Sequence, residues 1–228
     1  MGPLDKTELV EYLRSFKLQN RLKVFDEVIN MRTRYFTVVM ENIKHSHNIN
    51  AVLRSCECFG IQDLYLINDH TPFNLHKKIA KGSSKWLTLN KYEVQKEQNS
   101  VKALSDLKNR GYRIVATTPN PAAISIHDLD ITCSPLAFVF GTELTGISSD
   151  VEKMANVFVT IPTVGFTQSL NISVSTALVL QIITDKMHKS AMDWALTNSE
   201  KTDLMLEWLR KSIPKVELIE KRFWSLRE

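Results

Sequence analysis

Residues 136–174 read LAFVFGTELTGISSDVEKMANVFVTIPTVGFTQSLNISV. Two short β-rich apolar runs, LAFVF (136–140) and NVFVTI (156–161), each lead into a glycine-containing loop and then a helical pattern. The first loop opens a short helix from about Ser148, the second a long one from about Asn171 to Lys189. Upstream the alternation repeats: FTVVM (36–40), a helix from about His47 to Phe59, DLYLI (63–67), a helix from about Ser100 to Arg110, and YRIVAT (112–117). Strands of four to six apolar residues separated by helices predict an α/β fold, a mostly parallel sheet with helices on both faces. The glycines mark the same stretch. Seven in 228 residues is less than half the ~7% average, and Gly141, Gly146 and Gly165 all fall within it, which points to backbone that must turn tightly or approach another group closely.

Composition bounds the rest. With 43% hydrophobic and 24% charged residues, disorder, collagen and coiled coil are poor readings, and the length suits one large domain or one domain with appendages. No apolar run approaches the ~20 residues that span a bilayer. Asp5, Lys6, Glu8 and Glu11 stand where a secretory leader would be apolar, so a cytoplasmic protein without a membrane partner is expected. Cys56, Cys58 and Cys133 have no metal-like spacing and form no disulfide framework, so no metal is expected. The net charge of +4 sits at the two ends: residues 1–35 and 201–228 each hold seven Lys/Arg against five Asp/Glu, while the middle is balanced. Inside that middle, residues 70–92 hold Lys77, Lys78, Lys81, Lys85 and Lys91 with no acid. Such clusters attract polyanions, although lysine runs are often only solvated surface. Residues 4–16 and 20–31, and again the stretch after Ser190 with a break at Pro214, carry apolar residues at helical steps. The predicted organisation is therefore an N-terminal helical arm (1–34), a core (35–190) and a C-terminal helical arm (191–228).

In parallel sheets ligands lie beyond the carboxyl ends of the strands, so the residues just after each strand carry the chemistry. After the first strand stands Asn48-x-x-Ala51-x-x-Arg54, which would lie roughly along one side of a helix begun by Asn48. Phe140-Gly141-x-Glu143-x-x-Gly146 follows the LAFVF run. Ile161-Pro162-x-x-Gly165-x-x-x-Ser169-Leu170-Asn171-x-Ser173-Val174 follows NVFVTI. Each alone has a plain alternative: helix capping for Asn48 and Asn171, core packing for Ile161 and Leu170. G-x-G-x-x-G, G-x-x-x-x-G-K-[ST] and G-x-S-x-G are missing, which argues against a dinucleotide site, a P-loop and a hydrolase elbow.

In this order the three motifs resemble those of the SpoU/TrmH branch of the SPOUT methyltransferases, RNA ribose 2′-O-methyltransferases that use S-adenosyl-L-methionine. The resemblance covers about Tyr35 to Lys189. It implies a sheet whose C-terminal part is tied into a trefoil knot, a topology that elementary packing rules would exclude, and a homodimer with the active site at the interface. It also implies that Thr117, Thr118, Gly141, Ile161, Gly165 and Leu170 hold the cofactor. Among the catalytic positions, Arg54 corresponds to the essential arginine, Ser169 and Asn171 orient the ribose or Arg54, and Asn48 and Glu143 hold loops and the dimer partner. The short basic arms and the segments HNINAVLRSCECFGI, GSSKWL and IPTVGFTQSLNISV resemble the members that act on guanosine-18 of the tRNA D-loop. Phosphate contacts are then expected from Arg14, Arg21, His47, Lys77, Lys78, Lys81 and Lys85, with tRNA and not DNA as partner. Another RNA site within the branch, or a non-catalytic RNA-binding module, remains open at this point.

Overall fold

The computed structural model describes residues 3–68, 82–93, 98–167 and 169–227. In chain order the elements are α1 (Pro3–Arg14), α2 (Gln19–Asn30), β1 (Phe36–Glu41), α3 (Ser46–Cys58), β2 (Asp63–Ile67), a 3-10 turn (Ser83–Lys85) and β3 (Thr88–Tyr92). There follow α4 (Asn99–Asn109), β4 (Arg113–Thr117), β5 (Ile124–Ser125), β6 (Leu136–Phe140), α5 (Ser149–Met154), β7 (Val157–Thr160), α6 (Ile172–Lys189), α7 (Asn198–Ser212) and α8 (Val216–Ser225). The chain divides into two compact units, Thr33–Trp194 and, from its two ends, Met1–Arg32 with Ala195–Glu228.

The larger unit is built on a sheet in the order β3-β2-β1-β6-β4-β7-β5, every pairing parallel. In the register Phe36↔Leu136 to Met40↔Phe140, all residues of β1, β2 and β6 are buried, as parallel strands sandwiched between helices must be. Side chains alternate between two cores. Phe36, Val38 and Met40 pack with Val52 and Leu53 of α3 and with Val179 and Ile183 of α6. Val39, Tyr65 and Ile67 pack with Leu104 and Leu107 of α4 and Val151 of α5. At the amino end of β2, buried Asp63 receives Arg34 Nε at 3.1 Å and Arg110 at 3.5 Å. Nearby, Tyr112 donates to the Arg34 carbonyl at 2.5 Å, and burial pushes its hydroxyl up to about 12.

Two strands were not expected. TLNKY is polar and half-exposed, without the apolar run that marks a central strand, and the two-residue β5 is too short to leave a pattern. The expected strands 112–117 and 156–161 are trimmed at their ends, to Arg113–Thr117 and Val157–Thr160.

The helices read as two arms form one compact unit. Trp208 is its buried centre, edge-on to Phe25 at 5.7 Å and under the Arg32 guanidinium at 5.6 Å. Arg14 bonds Asp26 through both terminal nitrogens at 2.8 Å, and this hydrogen-bonded pairing holds the Asp26 carboxyl below its ordinary range. Lys6 meets Asp203 at 2.6 Å and Arg210 meets Glu220 at 2.7 Å, so part of the positive charge at the chain ends is engaged within the unit. Thr197 and Glu200 form a reciprocal capping box at the start of α7. Among the described residues no helix is long and apolar enough to cross a membrane.

Phe138 lies fully buried in β6, edge-on to Phe36 at 6.0 Å. Phe138→Ala is expected to destabilise the larger unit by about 3–5 kcal/mol, the lost transfer energy plus the cavity left behind, read by urea denaturation.

Candidate functional site

The strands run parallel, so their carboxyl ends gather the loops after β1, β4, β6 and β7 on one edge of the sheet. Glu41, the last residue of β1, is 1% exposed. Its carboxylate accepts from Ser100 Oγ and Ser148 Oγ, each at 2.6 Å, and from the Ser148 amide at 2.9 Å. A buried carboxylate is tolerable only with such donors, and here they tie the end of β1 to the first turn of α4 and the N-terminal cap of α5.

The loop after β6 is a narrow reversal. Thr142 and Gly146 exchange both backbone bonds at 2.8 and 3.0 Å, and the Thr142 and Thr145 hydroxyls meet at 2.6 Å. Gly146 sits at φ +69°, and a Cβ on Gly141 would fall 2.2 Å from the Gly146 carbonyl oxygen, so no side chain fits there. This turn projects Glu143 toward α3 and α6. Glu143 Oε1 accepts from Asn48 Nδ2 at 2.9 Å and from Asn171 Nδ2 at 2.8 Å. Asn171 also reaches Asn48 Oδ1 at 3.3 Å. Its own Oδ1 caps α6 by accepting from the Ser173 amide at 2.9 Å. One residue from each of the three sequence motifs thus meets in a single cluster.

Beside this cluster lies a cavity of about 420 Å³ walled by the loops after β4, β6 and β7. Its lining includes Thr117, Thr118, Gly141, Glu143, Ile161, Ser169 and Leu170, together with Pro119, Thr142, Glu152, Thr163 and Ser175. Thr117 is fixed by a bond from its hydroxyl to the Val139 carbonyl at 2.9 Å. The last five residues were not anticipated; Pro119, Thr142 and Thr163 stand one or two positions beyond expected ones, within reach of the strand-end rule. A second cavity, of about 360 Å³, shares the 142–146 turn and is walled on its other side by residues 41–45 and Asn48.

Other expected positions fall elsewhere. Gly165 is exposed and lines neither cavity. Asn48 does not begin its helix: α3 starts at Ser46 with His45 as cap, and the Asn48 side chain is buried in the cluster. Six residues on, the helix has turned 600°, so Arg54 does not share that side. It is exposed, without an ion pair among the described residues, and outside both linings. His47 is exposed beside His45, their rings 5.3 Å apart. Arg21 lies over Phe25 at 5.3 Å, Lys85 over Trp86 at 5.0 Å, and Arg14 is held by Asp26. Lys77, Lys78 and Lys81 lie outside the described residues. The described residues contain no group of His, Cys, Asp or Glu that could hold a metal ion.

Residues 35–181 match the SpoU rRNA Methylase family. The chain belongs to that family. Among its relatives is the tRNA (guanosine(18)-2′-O)-methyltransferase of Borreliella burgdorferi, 37% identical over 95% of this chain and 96% of that protein. The crystal structure of the Aquifex aeolicus TrmH/SpoU tRNA modifying enzyme is 30% identical, with a TM-score of 0.76 over 86% of this chain and 98% of that one. The SpoU methyltransferase AviRb from Streptomyces viridochromogenes, crystallised with the cofactor AdoMet, shares the fold at 19% identity and a TM-score of 0.58, over 72% of this chain and 62% of that one. In this SpoU family member the three motifs are thus joined by hydrogen bonds around one carboxylate.

That carboxylate oxygen can be tested separately from the charge. Glu143→Ala leaves the amides of Asn48 and Asn171 without their shared acceptor and should cost about 1–3 kcal/mol, whereas Glu143→Gln, which keeps an acceptor oxygen, should retain most of the stability. Denaturation of the two variants under identical conditions checks the difference; equal losses would mean that charge, not the shared acceptor, holds the loops.

Proposed function

We propose that this chain transfers a methyl group from S-adenosyl-L-methionine to the ribose 2′-hydroxyl of guanosine-18 in the D-loop of tRNA. The observation that carries the reading is the 37% identity to the Borreliella burgdorferi tRNA (guanosine(18)-2′-O)-methyltransferase along nearly the whole of both chains. It includes the helical ends as well as the family core.

The first cavity fits the cofactor. Its volume lies within the usual range for small-molecule sites, and the Gly141–Gly146 approach leaves backbone where any side chain would intrude. Glu143 and Glu152 line it and, among the described residues, no Lys, Arg or His does, which suits a sulfonium cation. Thr117, Thr118, Gly141, Ile161 and Leu170 are the residues to hold it, and when bound it supplies the electrophilic methyl group. The protein's own task is then to align a poorly acidic hydroxyl and ease loss of its proton. Ser169, on the cavity wall, and Asn171 orient the ribose, while Asn48 and Glu143 hold the two loops in register. Arg54 presents five donors and no acceptor, so it is not the base. It grips a neighbouring RNA phosphate and stabilises the developing alkoxide, with that phosphate or water taking the proton.

The active form in this reading is a homodimer whose interface completes the site. Arg54 stands apart from its own chain's cavities, and Leu144, Val164 and Phe166 are exposed apolar side chains on the site loops, both of which favour a second copy there. The loops after β4, β6 and β7 wall one cavity, with β4 lying between β6 and β7 in the sheet; crossovers of this kind support the trefoil knot. His47, Arg21 and the lysines around Lys85 steer the tRNA in the cytoplasm, positioning phosphates without reading bases.

Methyl incorporation into a tRNA transcript is expected to vanish when guanosine-18 carries a 2′-deoxyribose and to persist when any other guanosine does; unchanged incorporation would overturn the site assignment. Arg54→Lys should lower kcat by at least about a hundredfold, the scale of losing a fitted transition-state donor, while filter binding of tRNA stays within about threefold. If Arg54 acts across the interface, mixing Arg54→Ala with Asn171→Ala subunits should recover up to about a quarter of wild-type activity, and no recovery would place both residues in one protomer's site.

A further inference from the structure

The second cavity is not needed to hold the methyl donor, yet it is placed where an acceptor must be. It opens at the carboxyl ends of β1 and β6, neighbours in the sheet from which the chain departs to opposite faces. The connection after β1 leads to α3 on one face, and that after β6 to α5 on the other. Such a reversal opens a crevice in which α/β proteins bind ligands. At about 360 Å³ it has room for one nucleoside, and it shares the 142–146 turn with the first cavity, so its occupant would adjoin the methyl donor. Ile43 and Ile172 are its buried apolar wall. Its open side carries Lys44 and His45, both exposed and neither ion-paired among the described residues. The Glu41 carboxylate beneath is saturated by Ser100 and Ser148.

We infer that this second cavity receives the base of the acceptor nucleoside, with His45 against the face of a purine and Lys44 at its phosphate. An imidazole over an unstacked base and an ammonium at the sugar–phosphate are the ordinary means by which proteins hold a splayed-out RNA nucleotide. The inference extends the methyl-transfer reading above and names residues that none of the three motifs contains.

Two measurements separate it from that reading. In the first, the protein saturated with S-adenosylhomocysteine is titrated with guanosine 5′-monophosphate and with guanosine, with binding measured by calorimetry. His45→Ala should weaken both by about tenfold, in line with base stacking elsewhere, and Lys44→Ala should weaken the monophosphate alone. In the second, methylation of tRNA is compared with that of tRNA abasic at position 18. The abasic site and His45→Ala should each lower kcat/KM about tenfold, and together no more than either alone. Additive losses, or nucleotide binding indifferent to both substitutions, would overturn the inference even if guanosine-18 is methylated. Nucleotide binding that depends on His45 in a protein that leaves tRNA unmethylated would uphold the pocket and reject the tRNA assignment.

Discussion

A parallel sheet buried on both faces confines polar chemistry to its ends, and the design of this molecule follows from that constraint. Along β1, β2 and β6 every residue is buried, so the polar groups that end these strands must be paired or face a ligand. At the amino edge they are paired: Asp63 receives Arg34 and Arg110, and Tyr112 bonds the Arg34 carbonyl. At the carboxyl edge Glu41 is saturated in this way. Thr117, Glu143 and Asn48 stand there on the walls of two cavities that share one turn. One edge serves stability, and the other leaves room for chemistry.

Glu143 is the hinge of that second edge. Its Oε1 joins side chains 95 and 28 residues away, and it can do so because the Gly141–Gly146 approach folds the turn so tightly. Asn171 shows how a helix cap can also join a hydrogen-bond cluster through the same side chain: Oδ1 accepts from the backbone of α6 while Nδ2 bonds Glu143. The capping reading of that residue holds in the structure, and the same side chain also bonds Asn48 and Glu143.

Much of this was legible in the residues. The apolar runs marked five of the seven strands among the described residues, and the strand-end rule led to the loops that wall the first cavity. What escaped was whatever lacks an apolar signature, such as the half-exposed TLNKY strand and the two-residue β5. Spacing within α3 misled because a helix starting two residues earlier turns Asn48 inward, while six further residues carry Arg54 away from it. Lys44 and His45 belong to no repeating pattern; only the return of the chain after β6 gives them a cavity to border. The charge at the two ends was visible, but not that Arg14, Lys6 and Arg210 spend theirs on Asp26, Asp203 and Glu220, because such pairs join helices distant in sequence.

The helical unit draws on both ends of the chain, with Lys6 and Asp203 bonded across 197 positions. Contacts so remote in sequence are slow to form, and during synthesis α1 and α2 emerge long before α7 brings Trp208 to cover Phe25. Until then their apolar faces have no native cover, and Leu9, Leu13 and Phe25, buried in the finished protein, are surfaces a chaperone would meet. The larger unit ends at Trp194, before α7 begins, so it can close while the helical unit still waits for its second half.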